Sequence, residues 1–186
     1  MSSNLTIAIP TFNSAKTIKT VLTKLLNQSA NFKVLIFDQG STDGTLEILD
    51  NIKPPWDMKV MKGDIDMARG KSQNIPYMRY KLSQAIDTEL VMFLDSDVCL
   101  TPHSIMQLVS EFRDRKDVGM MGIRYEPFNN HVMMGATIMK TSDAKTIEWR
   151  WDETGCDCNN CAKSLMKKNL SSEFHPHLMA YHLKYQ

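Results

Sequence analysis

No apolar stretch of the sequence approaches the roughly 18 residues that a membrane-spanning helix needs, so no span is predicted. Charge of one sign is also missing. Against 22 Lys and Arg stand 21 Asp and Glu, a formal net charge of +1, and no arginine-rich stripe is interleaved with aromatics. Without a basic field to hold a phosphate backbone, nucleic acid is excluded as an expected partner. Glycine and proline are scarce, 8 and 7 among 186 residues, and nowhere gather with serine into a linker. No segment repeats. One domain over 1–186 is therefore expected. The start of the chain carries no basic leader, and its short apolar run ends at Pro10. A cytoplasmic chain is expected on that ground, with docking at a membrane surface left open, and the sequons at Asn4, Asn27 and Asn169 are read as chance. What the chain does have is 42% hydrophobic and 23% charged residues, the composition of a folded globular protein.

Periodicity then sorts the chain into alternating elements. Leu5 to Ile9 predicts a strand, and Ala15, Ile18, Val21, Leu22, Leu25 and Leu26 a helix capped by Asn13 or Ser14. The same pair recurs as Val34–Phe37 followed by Leu46, Leu49 and Ile52, stopped at Pro54. Met58 to Met61 predicts a third strand, and Met67, Ile75, Met78, Leu82 and Ile86 a helix kinked or started by Pro76. Leu90 to Leu94 reads as a buried strand, and a helix opening at Thr101-Pro102 carries Ile105, Leu108, Val109 and Phe112. Beyond Arg115 the alternation weakens into strands near Val118–Ile123 and His131–Met139 and a short helix capped by Ser142. The pattern implies an α/β fold with an open, mostly parallel, doubly wound sheet and an antiparallel edge. The 14 methionines are scattered through core-like positions and read as packing, and Cys99 as core.

In such a sheet ligands bind beyond the carboxyl ends of the strands, so the polar residues there come under scrutiny. Asp95-Ser96-Asp97 directly follows a buried strand. One intervening residue in an extended chain places both carboxylates on one side, where Mg²⁺ or Mn²⁺ can share them with nucleotide phosphates. The triplet equally reads as a solvated turn, and Asp64-Ile65-Asp66 has the same spacing without the strand. At the end of the second strand lies Asp38-Gln39-Gly40-Ser41-Thr42-Asp43-Gly44-Thr45. Ser41 to Asp43 suit a helix cap, which leaves Asp38 and Gln39 for a ligand.

Together these segments resemble glycosyltransferase family 2, the inverting enzymes with a GT-A fold, over nearly the whole chain. Ile9-Pro10-Thr11-Phe12-Asn13 looks like the opening strand of that family, Asp38–Thr45 like its acidic loop, and Phe93–Asp97 like its metal motif. The resemblance implies a nucleotide half over about 1–100 and an acceptor half over about 101–186. It implies that Pro10, Thr11, Phe12, Asp38, Gln39, Arg69, Asp95 and Ser96 contact the nucleotide and that Asp95 and Asp97 hold the metal. Gln39 departs from the second aspartate usual in the family; an amide both donates and accepts, which leaves the choice of base open. Trp151-Asp152-Glu153 and Gly155-Cys156-Asp157-Cys158 are similar to the acceptor side, with Asp157 at the catalytic base, and His182 matches a metal-binding histidine of some relatives.

The implied activity is metal-dependent, inverting transfer from a UDP- or GDP-sugar to a carbohydrate, lipid-linked or protein hydroxyl. A nucleotidyltransferase making sugar nucleotides is the alternative in the same fold space, although that class carries a basic, glycine-rich loop where Pro10–Asn13 stands. Cys156, Cys158 and Cys161 are no part of the resemblance. With His175 and His177 downstream they raise structural Zn²⁺, and with it a non-catalytic binding module, as a second possibility.

Overall fold

The computed structural model describes residues 4–63, 71–126, 131–151 and 156–185, side chains at 71–73 and 185 excepted. Strands β1 (Leu5–Thr11), β2 (Lys33–Asp38), β3 (Met58–Lys62) and β4 (Leu90–Leu94) run parallel, in the spatial order β3-β2-β1-β4. Helices α1 (Ile18–Leu25), α2 (Thr45–Asn51) and α3 (Lys71–Ala85) connect them. The chain steps outward from β1 to β3 and then crosses back to the other side of β1. The strand order thus reverses between β1 and β4, where such sheets open a crevice.

Period-two alternation divides these strands between two apolar layers. Leu5, Ile7, Ile9, Val34, Ile36, Leu90, Met92 and Leu94 face α1, α2 and α4 (Ser104–Asp114). Ala8, Leu35, Phe37, Val91 and Phe93 face α3, α5 (Thr141–Ala144) and α6 (Asp157–Met166). With both faces covered, the strands read as continuous apolar runs, and each fully buried side chain contributes about 1.5–3 kcal/mol.

Past β4 the sheet continues through β7 (Ala136–Lys140), β6 (Val118–Tyr125), β8 (Ser171–His182) and β5 (Val98–Leu100). The β4–β7, β7–β6 and β8–β5 pairs are antiparallel and β6–β8 is parallel, so the sheet as a whole is mixed and mostly parallel. Only Asp95, Ser96 and Asp97 separate β4 from β5, although three strands intervene between them in the sheet. Four backbone steps reach at most about 14 Å, whereas four strand spacings laid flat need about 19 Å. The sheet must curl. That curl carries the end of β8 to the Asp95–Asp97 turn, where Leu183 N–H donates to Asp97 O at 2.8 Å.

Several local expectations are corrected. Helix α1 begins after Thr17, with the Ser14 carbonyl accepting from the N–H of Thr17 and Ile18; neither Asn13 nor Ser14 is its cap residue. Helix α2 is preceded by Gly44 at φ +94°, a left-handed turn that suits glycine, while Asp43 of the expected Ser41–Asp43 stretch accepts from the N–H of its first residue, Thr45, at 3.1 Å. Helix α4 begins at Ser104 after His103, and α5 is preceded by Lys140, with Ser142 inside it. Pro76 lies inside α3, and Met67 falls outside the described residues. The β5 and β8 strands had no counterpart in the periodicity. No helix among the described residues is long and apolar enough to cross a membrane.

Candidate active site

The loops after β1, β2 and β4 meet at the carboxyl edge of the parallel strands. Asp38 is fully buried; its carboxylate accepts from Ser41 N–H at 2.9 Å and Ser41 Oγ at 2.5 Å, which closes the turn after β2. The Ser41 hydroxyl also accepts from Asn13 N–H at 2.8 Å, so Asp38 fixes the β1 loop through one intermediary. Asp43 grips the same loop through Ala15 N–H at 2.9 Å and the start of α2 through Thr45 N–H at 3.1 Å. Burial pushes the Asp43 carboxyl up, but the hydrogen bonds from Thr45 and Ala15 outweigh it and hold it below the ordinary carboxylate value. Ser14 and Ser96 hydroxyls, 2.8 Å apart, tie this pair of loops to the β4–β5 turn.

Beside that frame are the expected nucleotide contacts. Pro10 and Thr11 are buried in β1, Thr11 Oγ1 has no hydrogen-bond partner, and Phe12 is exposed at the loop mouth. Buried Gln39 donates its amide to Asn74 Oδ1 at 2.9 Å. Arg69 lies outside the described residues.

The acidic residues gather around a group that sequence reasoning missed. Arg79 of α3 is 3% exposed and donates to Asp95 Oδ1 at 2.7 Å and to Asp157 Oδ2, joining the end of β4 to the first turn of α6. A signal was available: Arg79 stands three residues before Leu82 and seven before Ile86, both buried, so a charge sits in the apolar stripe of its helix. Burial pushes the Asp95 carboxyl above its ordinary value; Arg79 pulls it back, while the charges of Asp97 and Asp157 add to the rise. Tyr125 is pushed up by burial and by Asp95. Gly135 completes the packing, since a Cβ there would lie 2.5 Å from both Asp95 Oδ2 and Tyr125 Oη. Only glycine leaves room for them.

Asp95 to Asp97 is a tight turn and not the extended segment expected, so the two carboxylates take separate partners. Asp97 Oδ1 lies 3.7 Å from His182 Nε2, and Asp97 Oδ2 lies 2.7 Å from the exposed ammonium of Lys184. Residues 85 positions apart are thereby united, as the β5–β8 register pairs Val98 with His182. These donors fit a divalent cation: carboxylate oxygen suits Mn²⁺ or Mg²⁺, and neutral imidazole is a common metal ligand. The carboxylates of Asp95, Asp97 and Asp157 outnumber the Arg79 guanidinium by two charges, and an ammonium already stands against Asp97.

The cysteines do not act as one group. Cys161 points into the core with its sulfur 3.7 Å from Met120 Sδ, and burial pushes its thiol up. Cys156 and Cys158 instead face His131, whose Nε2 is 3.3 Å from Cys156 Sγ. The hydrogen bond between the two thiols draws Cys156 down to about 5 against the cost of burial, and the same bond together with burial drives Cys158 up. His175 and His177 are not in this cluster. His175 Nδ1 accepts from the N–H groups of His177 and Leu178, both at 3.2 Å, within the irregularity where β8 shifts register against β6. The C-x-C-x-x-C pattern with two downstream histidines is therefore corrected to His131, Cys156 and Cys158.

The family model "Glycosyl transferase family 2" matches residues 6–174. Poly(ribitol-phosphate) beta-N-acetylglucosaminyltransferase TarS of Staphylococcus aureus is 26% identical over 145 residues, which cover 76% of this chain and 24% of TarS. The chain thus spans about a quarter of that relative's length. Among solved structures, TarS 1-349 in complex with UDP superimposes with a TM-score of 0.73 at 18% identity, over 96% of this chain and 60% of that one. The mannosyltransferase PcManGT from Pyrobaculum calidifontis, in complex with GDP-Man and Mn²⁺, gives 0.80 at 15% identity, over 98% and 57%. At such identities the likeness shows the fold, which is that of GT-A glycosyltransferases.

Proposed function

The chain belongs to glycosyl transferase family 2, and from that premise we propose that it performs metal-dependent, inverting transfer of a sugar from a UDP- or GDP-sugar to an acceptor hydroxyl. The observation that carries this reading is the acidic cluster at the strand ends: Asp95 and Asp157 on one buried Arg79, with Asp97 against His182. Structural neighbours in complex with UDP and with GDP-Man and Mn²⁺ support the donor class and the metal.

Each residue then has a chemical task. Pro10, Thr11 and Phe12 border the base and ribose, and the unpartnered Thr11 Oγ1 awaits a polar atom. Asp38 and Gln39 line the same side; the Gln39 amide gives one N–H to Asn74, which leaves its carbonyl oxygen and second N–H for the base. Asp97 and His182, with Asp95, would hold the divalent cation, which when bound offsets charge on the departing diphosphate. Asp157 takes the proton of the acceptor hydroxyl as that oxygen attacks the anomeric carbon from the face opposite the leaving group. Arg79 holds Asp157 Oδ2 and thereby orients the carboxylate, so that Oδ1, which otherwise accepts from the Cys158 thiol at 3.6 Å, takes the proton. A single displacement of this kind inverts the anomeric centre. The acceptor is a carbohydrate, a lipid-linked sugar or a protein, and the 1–186 stretch acts as one domain with its nucleotide half before about residue 100.

The test is a panel of UDP- and GDP-sugars with and without Mn²⁺, read as donor hydrolysis and transfer, on the chain and two variants. Asp97→Asn should abolish Mn²⁺-dependent nucleotide binding by calorimetry with the fold intact. Asp157→Asn should keep donor affinity and lower turnover by about 10²–10⁴-fold. Unchanged metal dependence in the first variant, or near-normal turnover in the second under rate-limiting chemistry, would refute the respective assignment.

A further inference from the structure

We propose that His131, Cys156 and Cys158 form a zinc-binding site, separate from the acidic metal centre and able to hold the start of α6 against the segment leading into β7. The three ligand atoms, His131 Nε2 and the two Sγ atoms, all lie within 4.8 Å of one another, and His131 Nε2 is 3.3 Å from Cys156 Sγ. Tetrahedral zinc with two sulfurs and one nitrogen requires S···S near about 3.8 Å and S···N near about 3.5 Å, so side-chain adjustment alone closes the site. The ligands come from separate stretches of chain, 25 residues apart between His131 and Cys156. Sequence spacing grouped Cys156 with Cys158 but did not bring in His131.

Three further features suit a metal here. Met134 N–H donates to Cys158 Sγ at 3.3 Å, the outer hydrogen bond that supports a metal-bound thiolate. Two thiolates and a neutral imidazole cancel the charge of Zn²⁺, so the loaded site carries no net charge beside the buried Arg79–Asp157 pair. Cys158 is buried while His131 and Cys156 are half-buried, so one side faces outward and a water completes four-coordination. On binding, Zn²⁺ enters, two S–Zn bonds and one N–Zn bond form, and the proton that the Cys156–Cys158 pair retains at neutral pH is released to solvent. Because Asp157 lies between the two cysteine ligands in the chain, the ion would fix the helix turn that presents it. The site itself does not depend on the reaction assigned to Asp157.

The experiment uses the full chain, reduced, stripped with a chelator and titrated with ZnCl₂ against a chromophoric indicator, with elemental analysis of the loaded protein. One thiolate-bound equivalent of zinc is expected, and Co²⁺ in its place should show thiolate charge-transfer absorption and tetrahedral bands. Cys156→Ser and His131→Ala should weaken that equivalent by at least the roughly 10–100-fold that even an outer-sphere loss costs, whereas Cys161→Ser and Asp97→Asn should keep it and its thiolate absorption as the parent does. The cobalt spectrum of the unmutated chain stands even if a variant fails to fold. Absence of stoichiometric zinc in the reduced chain, cobalt without thiolate absorption, or loss of zinc in Asp97→Asn with retention in Cys156→Ser would each overturn the site.

Discussion

Around Asp38 and Asp43 every carboxylate oxygen meets a backbone N–H or a hydroxyl from the β1 and β2 loops. Around Arg79 the arrangement is the reverse: a full charge is withdrawn from water and balanced by carboxylates 16 and 78 residues away in the chain. The first region is a set of turns, most of which would survive loss of any one bond because water can replace a neutral donor. The second is an ion network in which each member exists only because the others do. Its attraction offsets a large desolvation penalty, so removing one partner leaves the remainder exposed to that penalty in full.

The contrast is sharpest at Arg79. Arg79→Met should strand Asp95 and Asp157 as buried, uncompensated carboxylates and destabilise the fold by about 3–5 kcal/mol, measured by urea unfolding at neutral pH. Part of that loss should return at lower pH, where the stranded carboxylates take up protons. In the other region, Asp43→Ala removes the bonds to Ala15 and Thr45 at an exposed position, and the cost should be about 1 kcal/mol by the same measurement. Equal effects of the two substitutions would erase the distinction drawn between the regions.

The smallest effect is a pH slope at His175 in β8. Burial pushes His175 below the ordinary histidine value; Glu111 of α4 pulls it up and His177 pushes it down, and its Nδ1 must stay unprotonated to accept the bonds in the β8 irregularity. The unfolded chain, with histidine near its reference of about 6.5, therefore binds the proton more readily than the folded one. Stability from this group is full above that value and is lost as pH falls from it through the lower folded value. The wild-type-minus-His175→Gln difference in unfolding free energy should fall between neutral and mildly acidic pH. A difference that does not change with pH would mean that His175 titrates alike in both states.

Legibility followed range along the chain. The strands β1, β2 and β4 were readable because burial on both faces leaves continuous apolar runs, and α1 and α4 because one apolar stripe packs on the sheet. Asp95 and Asp97 were readable by position, though their conformation was not, since a turn and an extended triplet have the same composition. The cap of α1 was misplaced because the Ser14 N–H is taken by Thr45 across the loops, which local pattern does not register. Arg79 could have been suspected from its place in an apolar stripe, but its partners could not, because they depend on where α3 and α6 lie over the sheet. His131 escaped for the same reason, and Cys161 was grouped with its neighbours only because it follows them.

The sequence by itself determined the alternation of strand and helix, the two apolar faces of the parallel strands, and the edge at which polar residues collect. All three follow from periodicities of a few residues. Tertiary structure alone decided that the sheet curls, which sets His182 beside Asp97, and that α3 and α6 place Asp95 and Asp157 on one guanidinium. Those contacts join residues far apart in the chain, and the free energy that selects them is that of burying and pairing charge in the assembled core, which no local stretch carries.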